Sequence, residues 1–222
     1  MHPDTFQFLD ELAANNNKSW FVAHKGRFDA IMEEFTAFTQ DCVGEMSKRD
    51  TSLGQPDAKR CIYRIYRDLR FTQDKRPYKD HIAFFIPSGG VKRCGVPGYY
   101  LQIMRGDCSL GGGIFAPEPK AVEAIRQEIF YNEEAFGAIC NDAEFRHYYG
   151  EEFWDWQPTK TIPKDYPKDW PYANWLKHRN WVSFHHFDDK LITGPSDKLF
   201  NYVINAFNAT VPLNKFLLSA LL

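Results

Sequence analysis

The chain has 222 residues, with 27 Lys and Arg against 29 Asp and Glu, for a formal net charge of −2. That length suits one sizeable core and is short for two ordinary domains. Its 19 Phe, 11 Tyr and 6 Trp exclude a disordered chain, which would be poor in aromatics. The near balance of charge excludes a protein that coats nucleic acid with its whole surface.

Residues 4–14 predict a short helix, capped by Asp4, with Phe6, Leu9, Leu12 and Ala13 on one face. Asn15-Asn16-Asn17 breaks it. A long helix over roughly 18–48 follows, capped by Asn17 or Ser19. Its apolar residues Phe21, Phe28, Ile31, Phe35, Phe38, Cys42 and Met46 recur at three, four or seven, which makes one buried stripe. Residues 50–58 read as a loop, and 61–66 turn β-like with aromatic and β-branched types. Asp74, Pro77 and Asp80 make 72–80 a loop. Strands are expected at 81–87, 98–105 and 109–115, the last two joined as a hairpin by Gly106-Asp107. Helices are expected at 118–130 and 132–147, then a Pro/Trp-rich loop over 150–172 and a helical turn or two at 173–178. A strand at 180–187 and helices near 196–208 and 212–221 complete the chain. Strands grouped centrally between N-terminal and C-terminal helices predict one α+β domain spanning 1–222, with a mostly antiparallel sheet.

Cys42, Cys61, Cys94, Cys108 and Cys140 are odd in number and contain no C-x-x-C pair. Neither a disulfide framework nor a zinc site is signalled. MHPDTFQFLDEL lacks the basic and apolar regions of a signal peptide. No stretch approaches the ~18 consecutive apolar residues of a membrane span. The expectation is a soluble cytoplasmic protein with no membrane partner.

Charge is concentrated in one place. The window 59–80 holds eight cations and three anions, a net of +5, so the remainder of the chain carries −7. Tyr63, Tyr66, Phe71 and Tyr78 lie between the cations. Guanidinium groups suit a bidentate grip on phosphate or carboxylate. Arg64, Arg67 and Arg70, three apart, would share a face on a helix, whereas a strand would send Arg64 and Arg67 to opposite sides. The structural alternative is that these cations pair inside the molecule with the acidic helices at 118–155.

In DKRPYKDH, 74–81, Pro77 stiffens a loop carrying Lys75, Lys79 and His81. His81 is the natural proton carrier near neutral pH. Asp68 or Asp74 could act as a base or orient an arginine.

Other features carry less. GYYLQIMRGDCSLGGGIF lacks the spacing of dinucleotide or P-loop motifs, and Gly111, Gly112 and Gly113 read first as close packing. Arg105-Gly106-Asp107 reads as turn chemistry. His185 and His186, adjacent on a strand, oppose each other and suit a shared metal poorly. His24 reads as a hydrogen-bonded, half-buried histidine. Cys61 and Cys94 lie near the basic block as candidate thiol nucleophiles.

NNNKSWFVAHK (15–25), RIYRDLRFTQDKRPYKDHI (64–82), PGYYLQI (97–103) and GGGIFAPEP (111–119) occur in this order. Together they resemble the conserved hypothetical family called domain of unknown function 2461, over nearly the whole chain. The resemblance implies a single-domain soluble protein of a kind found in bacteria and fungi, and it implies no reaction.

The functional expectation is an enzyme or ligand binder that handles a small phosphorylated or carboxylated molecule. Arg64, Arg67 and Lys75 would grip the anion, with Arg70 and Lys79 in support. His81 would be the general acid/base, with Asp68 as a candidate base, and Tyr66 and Tyr78 would donate hydrogen bonds. No cofactor or metal is implied. The alternatives are a nucleic-acid-binding module, in which the same tyrosines or Phe71 stack on bases, and a protein-interaction domain docking through the basic strip.

Overall fold

The structure is a computed structural model, and it describes all residues except Phe71, Glu152, Trp154, Trp156 and Gln157. The chain begins with α1 (Thr5–Ala14), α2 (Lys18–Ala23) and α3 (Lys25–Arg49). Asp4 does not cap α1. Its carboxylate is taken by Arg27, which donates from Nε and Nη2 at 2.7 and 2.8 Å and also reaches Glu11 at 2.5 Å, tying α1 to α3. The long helix expected over 18–48 is two helices. Asn17 caps the first by accepting from the Trp20 amide at 3.0 Å. At His24 the ring Nδ1 meets the Trp20 carbonyl at 2.8 Å and the imidazole stacks on the Trp20 ring, 4.0 Å between centroids. A carbonyl only accepts, so Nδ1 carries the proton. This local bond competes with the helical ladder and turns the chain at residue 24.

A four-residue helix, α4 (Ala58–Cys61), replaces the start of the expected β-like stretch at 61–66. The chain then runs extended. The Tyr63 amide donates to the Ala83 carbonyl at 2.9 Å, Arg67 to Pro77 at 2.9 Å and Lys79 to Ile65 at 2.8 Å. Single bridges join Ile62 to Phe84 and Tyr66 to Tyr78. Residues 65–79 therefore form a loose hairpin whose base guards the outer edge of the first sheet strand, as exposed edges require.

The sheet comprises β1 (Ile82–Pro87), β2 (Pro97–Ile103), β3 (Ser109–Ile114) and β4 (Trp181–His186), antiparallel and in sequence order. Between β3 and β4 lie α5 (Pro119–Tyr131), α6 (Glu133–Asn141) and α7 (Ala143–Tyr149). One helix was expected over 132–147. It breaks at Asp142, whose extended backbone and side chain cap α7 by accepting from Phe145 N at 2.9 Å. The loop expected over 150–172 includes four residues outside the described set. The chain closes with α8 (Lys190–Thr193), α9 (Ser196–Ala209) and α10 (Val211–Ser219). This is an α+β fold built on one antiparallel sheet.

Alternation assigns the two faces of the sheet. Phe84, Ile86, Tyr99, Leu101, Leu110 and Ile114 are fully buried under α3, α9 and α10. The stripe of α3 meets them, with Ile31, Phe35, Cys42, Val43 and Met46 buried and Phe28 and Phe38 only half-buried. Phe35 packs on Phe84 at 5.8 Å, and Phe207 of α9 touches both Phe84 and Tyr99. No described helix is long and apolar enough to cross a membrane.

Candidate functional site

Strand register sets what the other sheet face presents. Its cross-strand rows are Ala83–Gln102–Ser109–His186, Phe85–Tyr100–Gly111–Phe184 and Pro87–Gly98–Gly113–Val182. An antiparallel sheet facing water would carry charges here. Instead the central row is aromatic, and a concavity of about 740 Å3 lies over it. Tyr63, Lys79, His81, Lys92, Arg93, Cys94 and Phe115 complete the wall.

The glycines of β3 serve packing. A Cβ on Gly112 would sit 2.3 Å from Thr210 Oγ1 on the helical side, and one on Gly111 would collide with the Ser183 carbonyl at 2.1 Å. On the open face, the missing side chain at Gly111 lets Tyr100 and Phe184 approach across it, 6.2 Å between centroids. Gly106 has φ +74°, and the Asp107 amide donates to the Met104 carbonyl at 3.0 Å, so residues 105–107 form the hairpin turn.

Two ammonium groups meet at the rim. Lys92 Nζ lies 4.3 Å from the centroid of the Tyr63 ring and Lys79 Nζ lies 5.2 Å from it. Lys92 is positioned by donating to the carbonyls of Ile62 (2.6 Å) and Cys61 (3.2 Å), where α4 ends. Among the described residues Lys79 Nζ has no hydrogen-bond or ion-pair partner. Burial lowers the pKa of both amines. Arg64 lowers Lys79 further, and Lys79 adds to the lowering at Lys92.

Two imidazoles also face the cavity, each against a carboxylate. His81 Nδ1 lies 3.1 Å from Asp80 Oδ1, and His186 Nδ1 lies 3.1 Å from Asp107 Oδ1. Such a carboxylate orients the ring. Tyr100 donates to Gln102 Oε1 at 2.9 Å, and Gln102 donates on to Asp107 Oδ2 at 3.2 Å, which links the aromatic floor to the second pair.

Of the sequence-predicted residues, Lys79 and His81 line this cavity. The rest of the block is arranged differently. Arg67 donates to Asp74 at 2.5 Å and Arg76 to the same carboxylate at 2.7 Å. Arg70 grips Asp68 at 2.7 Å. These partners lie in the hairpin itself, not on the acidic helices at 118–155. Hydrogen bonds from Arg76 and Arg67 hold the Asp74 carboxyl well below its usual range, and those from Arg70 hold Asp68 down to about 2. A carboxylate held so low is a weak base, and Asp68 is exposed away from the cavity. Lys75 donates to the carbonyls of Thr72 and Leu69 at 2.8 and 3.3 Å. Arg64 is exposed outside the lining.

Tyr78 is buried and stacks on Phe21 at 4.3 Å. Its backbone is clamped by the side chain of Asn16, which donates to the Tyr78 carbonyl at 3.0 Å and accepts from its amide at 2.9 Å. The Asn-rich segment thus anchors the hairpin. Tyr66 is exposed beside Tyr78. Phe71 lies outside the described residues. Burial pushes the Cys61 thiol up to about 11, which disfavours a nucleophile, whereas Cys94 is exposed at the cavity wall.

Lys92 and Phe184 belong to no motif, Tyr100 enters only within PGYYLQI, and His186 only as the neighbour of His185. Their signal was weaker: strands β1, β2 and β4 place aromatics at both phases of the alternation, so neither sheet face is simply solvent-facing. His185 points the other way and meets the Tyr202 hydroxyl at 2.6 Å. A second, shallower cleft of about 710 Å3 lies beside α5 and α6. It is lined by Glu133, Glu134 and Asp169 with Trp170, which donates to Glu133, and it suits an anion poorly.

Neither the curated proteins nor the solved structures include one that matches this chain. The family described as "Conserved hypothetical protein (DUF2461)" matches residues 4–216, nearly the full length, and the chain belongs to that family.

Proposed function

We propose that the sheet-face cavity binds a small molecule bearing a phosphate or carboxylate. The observation that carries this reading is the meeting of two partly buried ammonium groups on one tyrosine ring at the mouth of a concave, aromatic-floored site. Two cations held close with depressed pKa values are relieved when an anion arrives. The volume falls within the ~300–1,000 Å3 usual for small-molecule sites. His81 with Asp80, and His186 with Asp107, would supply or accept a proton at the bound ligand. The five unpaired cysteines suit a reducing, cytoplasmic setting.

Nucleic acid is the second reading, and exposed Tyr63 and Tyr66 speak for it. Against it, Arg67, Arg70 and Arg76 are already engaged by Asp68 and Asp74, so less free positive charge remains to track a backbone. Docking of a protein partner on the basic strip meets the same objection.

Thermal denaturation with inorganic phosphate, pyrophosphate and sulfate tests the proposal. A ligand a hundredfold above its Kd stabilises the fold by about 2.7 kcal/mol. Wild type should respond, Lys79→Met/Lys92→Met should not, and Arg67→Ala should respond like wild type. Equal responses in wild type and the double lysine variant would sink the assignment.

A further inference from the structure

The two amines at the cavity rim are not equivalent. Lys92 Nζ donates to the carbonyls of Ile62 and Cys61 at 2.6 and 3.2 Å, and it lies 4.3 Å from the centroid of the Tyr63 ring. Two fixed acceptors and a ring favour its charged form, and an ammonium has a further N–H to offer an anion. Lys79 Nζ lies farther from the same centroid, at 5.2 Å. Among the described residues it has neither a hydrogen-bond nor an ion-pair partner. Both side chains are half-buried and line the same cavity. A desolvated amine with no acceptor, beside a fixed cation, is the setting that frees a lysine lone pair for attack on a carbonyl carbon. Burial first, and then the charge of Arg64, lower the Lys79 pKa in the direction this needs.

We propose that Lys79 forms an iminium with a small aldehyde or ketone whose phosphate or carboxylate is held by Lys92. This rests on the anion site proposed above and goes further, because it names the ligand's second group and the atom that meets it. The neutral Lys79 amine forms an N–C bond to the carbonyl carbon while the C=O π pair moves to oxygen. One proton passes from nitrogen to that oxygen. A second comes from the protonated imidazole of His81, which lines the same cavity, and the oxygen leaves as water. The product is a C=N bond carrying one positive charge, with the anion of the same ligand on Lys92. No oxidant or reductant is consumed.

The test labels the full chain with 4-formylbenzoate in the presence of cyanoborohydride, which traps an iminium by adding hydride to its carbon. Peptide mass spectrometry then locates the modified lysine. Methyl 4-formylbenzoate is the control, with the same aldehyde and no charge. Wild type should be labelled first on Lys79, and the acid should react there about tenfold faster than the ester, a factor within reach of one charge-assisted hydrogen bond. Lys79→Arg keeps a cation but has no amine to react. It should lose that label and keep the thermal response to inorganic phosphate. Lys92→Met should slow the acid to the rate of the ester. Label scattered over the lysines or centred on Lys92, or equal rates for acid and ester in wild type, would overturn the iminium. A retained thermal response to phosphate would then leave the anion site standing. If wild type shows neither the label nor that response, both fall. Should Lys79→Arg fail to fold by circular dichroism, the position of the label in wild type and its acid-to-ester ratio decide by themselves.

Discussion

At Lys79 and Lys92 burial acts against charge, and the consequence is a pH dependence of definite sign. Their pKa values are lower in the folded protein than in the unfolded chain, whose lysines titrate near ~10.4. Between the depressed values and that point the unfolded state holds more protons, so stability rises with pH across the window. Anion binding should follow the opposite trend, because a neutral amine offers no charge. Urea denaturation on the alkaline approach to ~10.4, with and without phosphate, should show both trends more strongly in wild type than in Lys79→Met/Lys92→Met. Two other residues carry sharp structural expectations. Tyr99 donates to Asp50 Oδ2 at 2.8 Å, and the other carboxylate oxygen accepts from the Ser52 amide and hydroxyl. Both Asp50 and Tyr99 are fully buried. Tyr99→Phe leaves a buried acceptor unsatisfied and should cost about 1–3 kcal/mol in chemical denaturation. Gly112→Ala would drive a methyl into buried Thr210, 2.7 Å from its Cβ, and should cost about 1–3 kcal/mol as overpacking does.

Among the elements, α3 is scaffold. Phe35 is fully buried against Phe84, so Phe35→Ala should lose about 3–5 kcal/mol. Glu33 and Glu34 are exposed, and alanine there should change stability by no more than about 0.5 kcal/mol. The two outcomes are read in the same urea titration. The 65–79 hairpin is held differently. Its stem has few ladder bonds, and Asp74 receives both Arg67 and Arg76. Asp74→Asn should leave the global transition nearly in place, because exposed ion pairs contribute little to it. Limited proteolysis should nevertheless cut within 65–79 faster than in wild type, since local opening is governed by local contacts. Unchanged cleavage would show that the Asn16 clamp and the Tyr78–Phe21 stack alone hold the hairpin.

For the molecule as a whole, charge placement predicts partner class. Outside 59–80 the chain sums to −7, and within that window Asp68 and Asp74 engage three of the arginines in ion pairs. Binding to single-stranded DNA or RNA should therefore be weak and lost by physiological salt, since counterion release makes such binding steeply salt-dependent. Tight binding that survives that salt and disappears in Tyr66→Ala would favour the nucleic-acid reading over the small-ligand one.

By itself the sequence determined the α+β class, the four strands to within a residue or two, and the amphipathic stripe of α3, because periods of 2 and 3.6 are written locally. It missed the helix breaks at His24 and Asp142. Each break is one side chain competing with a backbone ladder, and a hydrophobic period does not register that. It also marked the basic block by composition, since charge is countable. Tertiary structure decided which of those cations face a common space. Arg70 and Arg76 turn back onto acids two residues away, whereas Lys79 and His81 meet Lys92 and His186, which lie elsewhere along the chain. Alternation in β1, β2 and β4 says which residues share a face. Only the packing of α3, α9 and α10 on one side leaves Phe85, Tyr100 and Phe184 as the floor of an open cavity on the other.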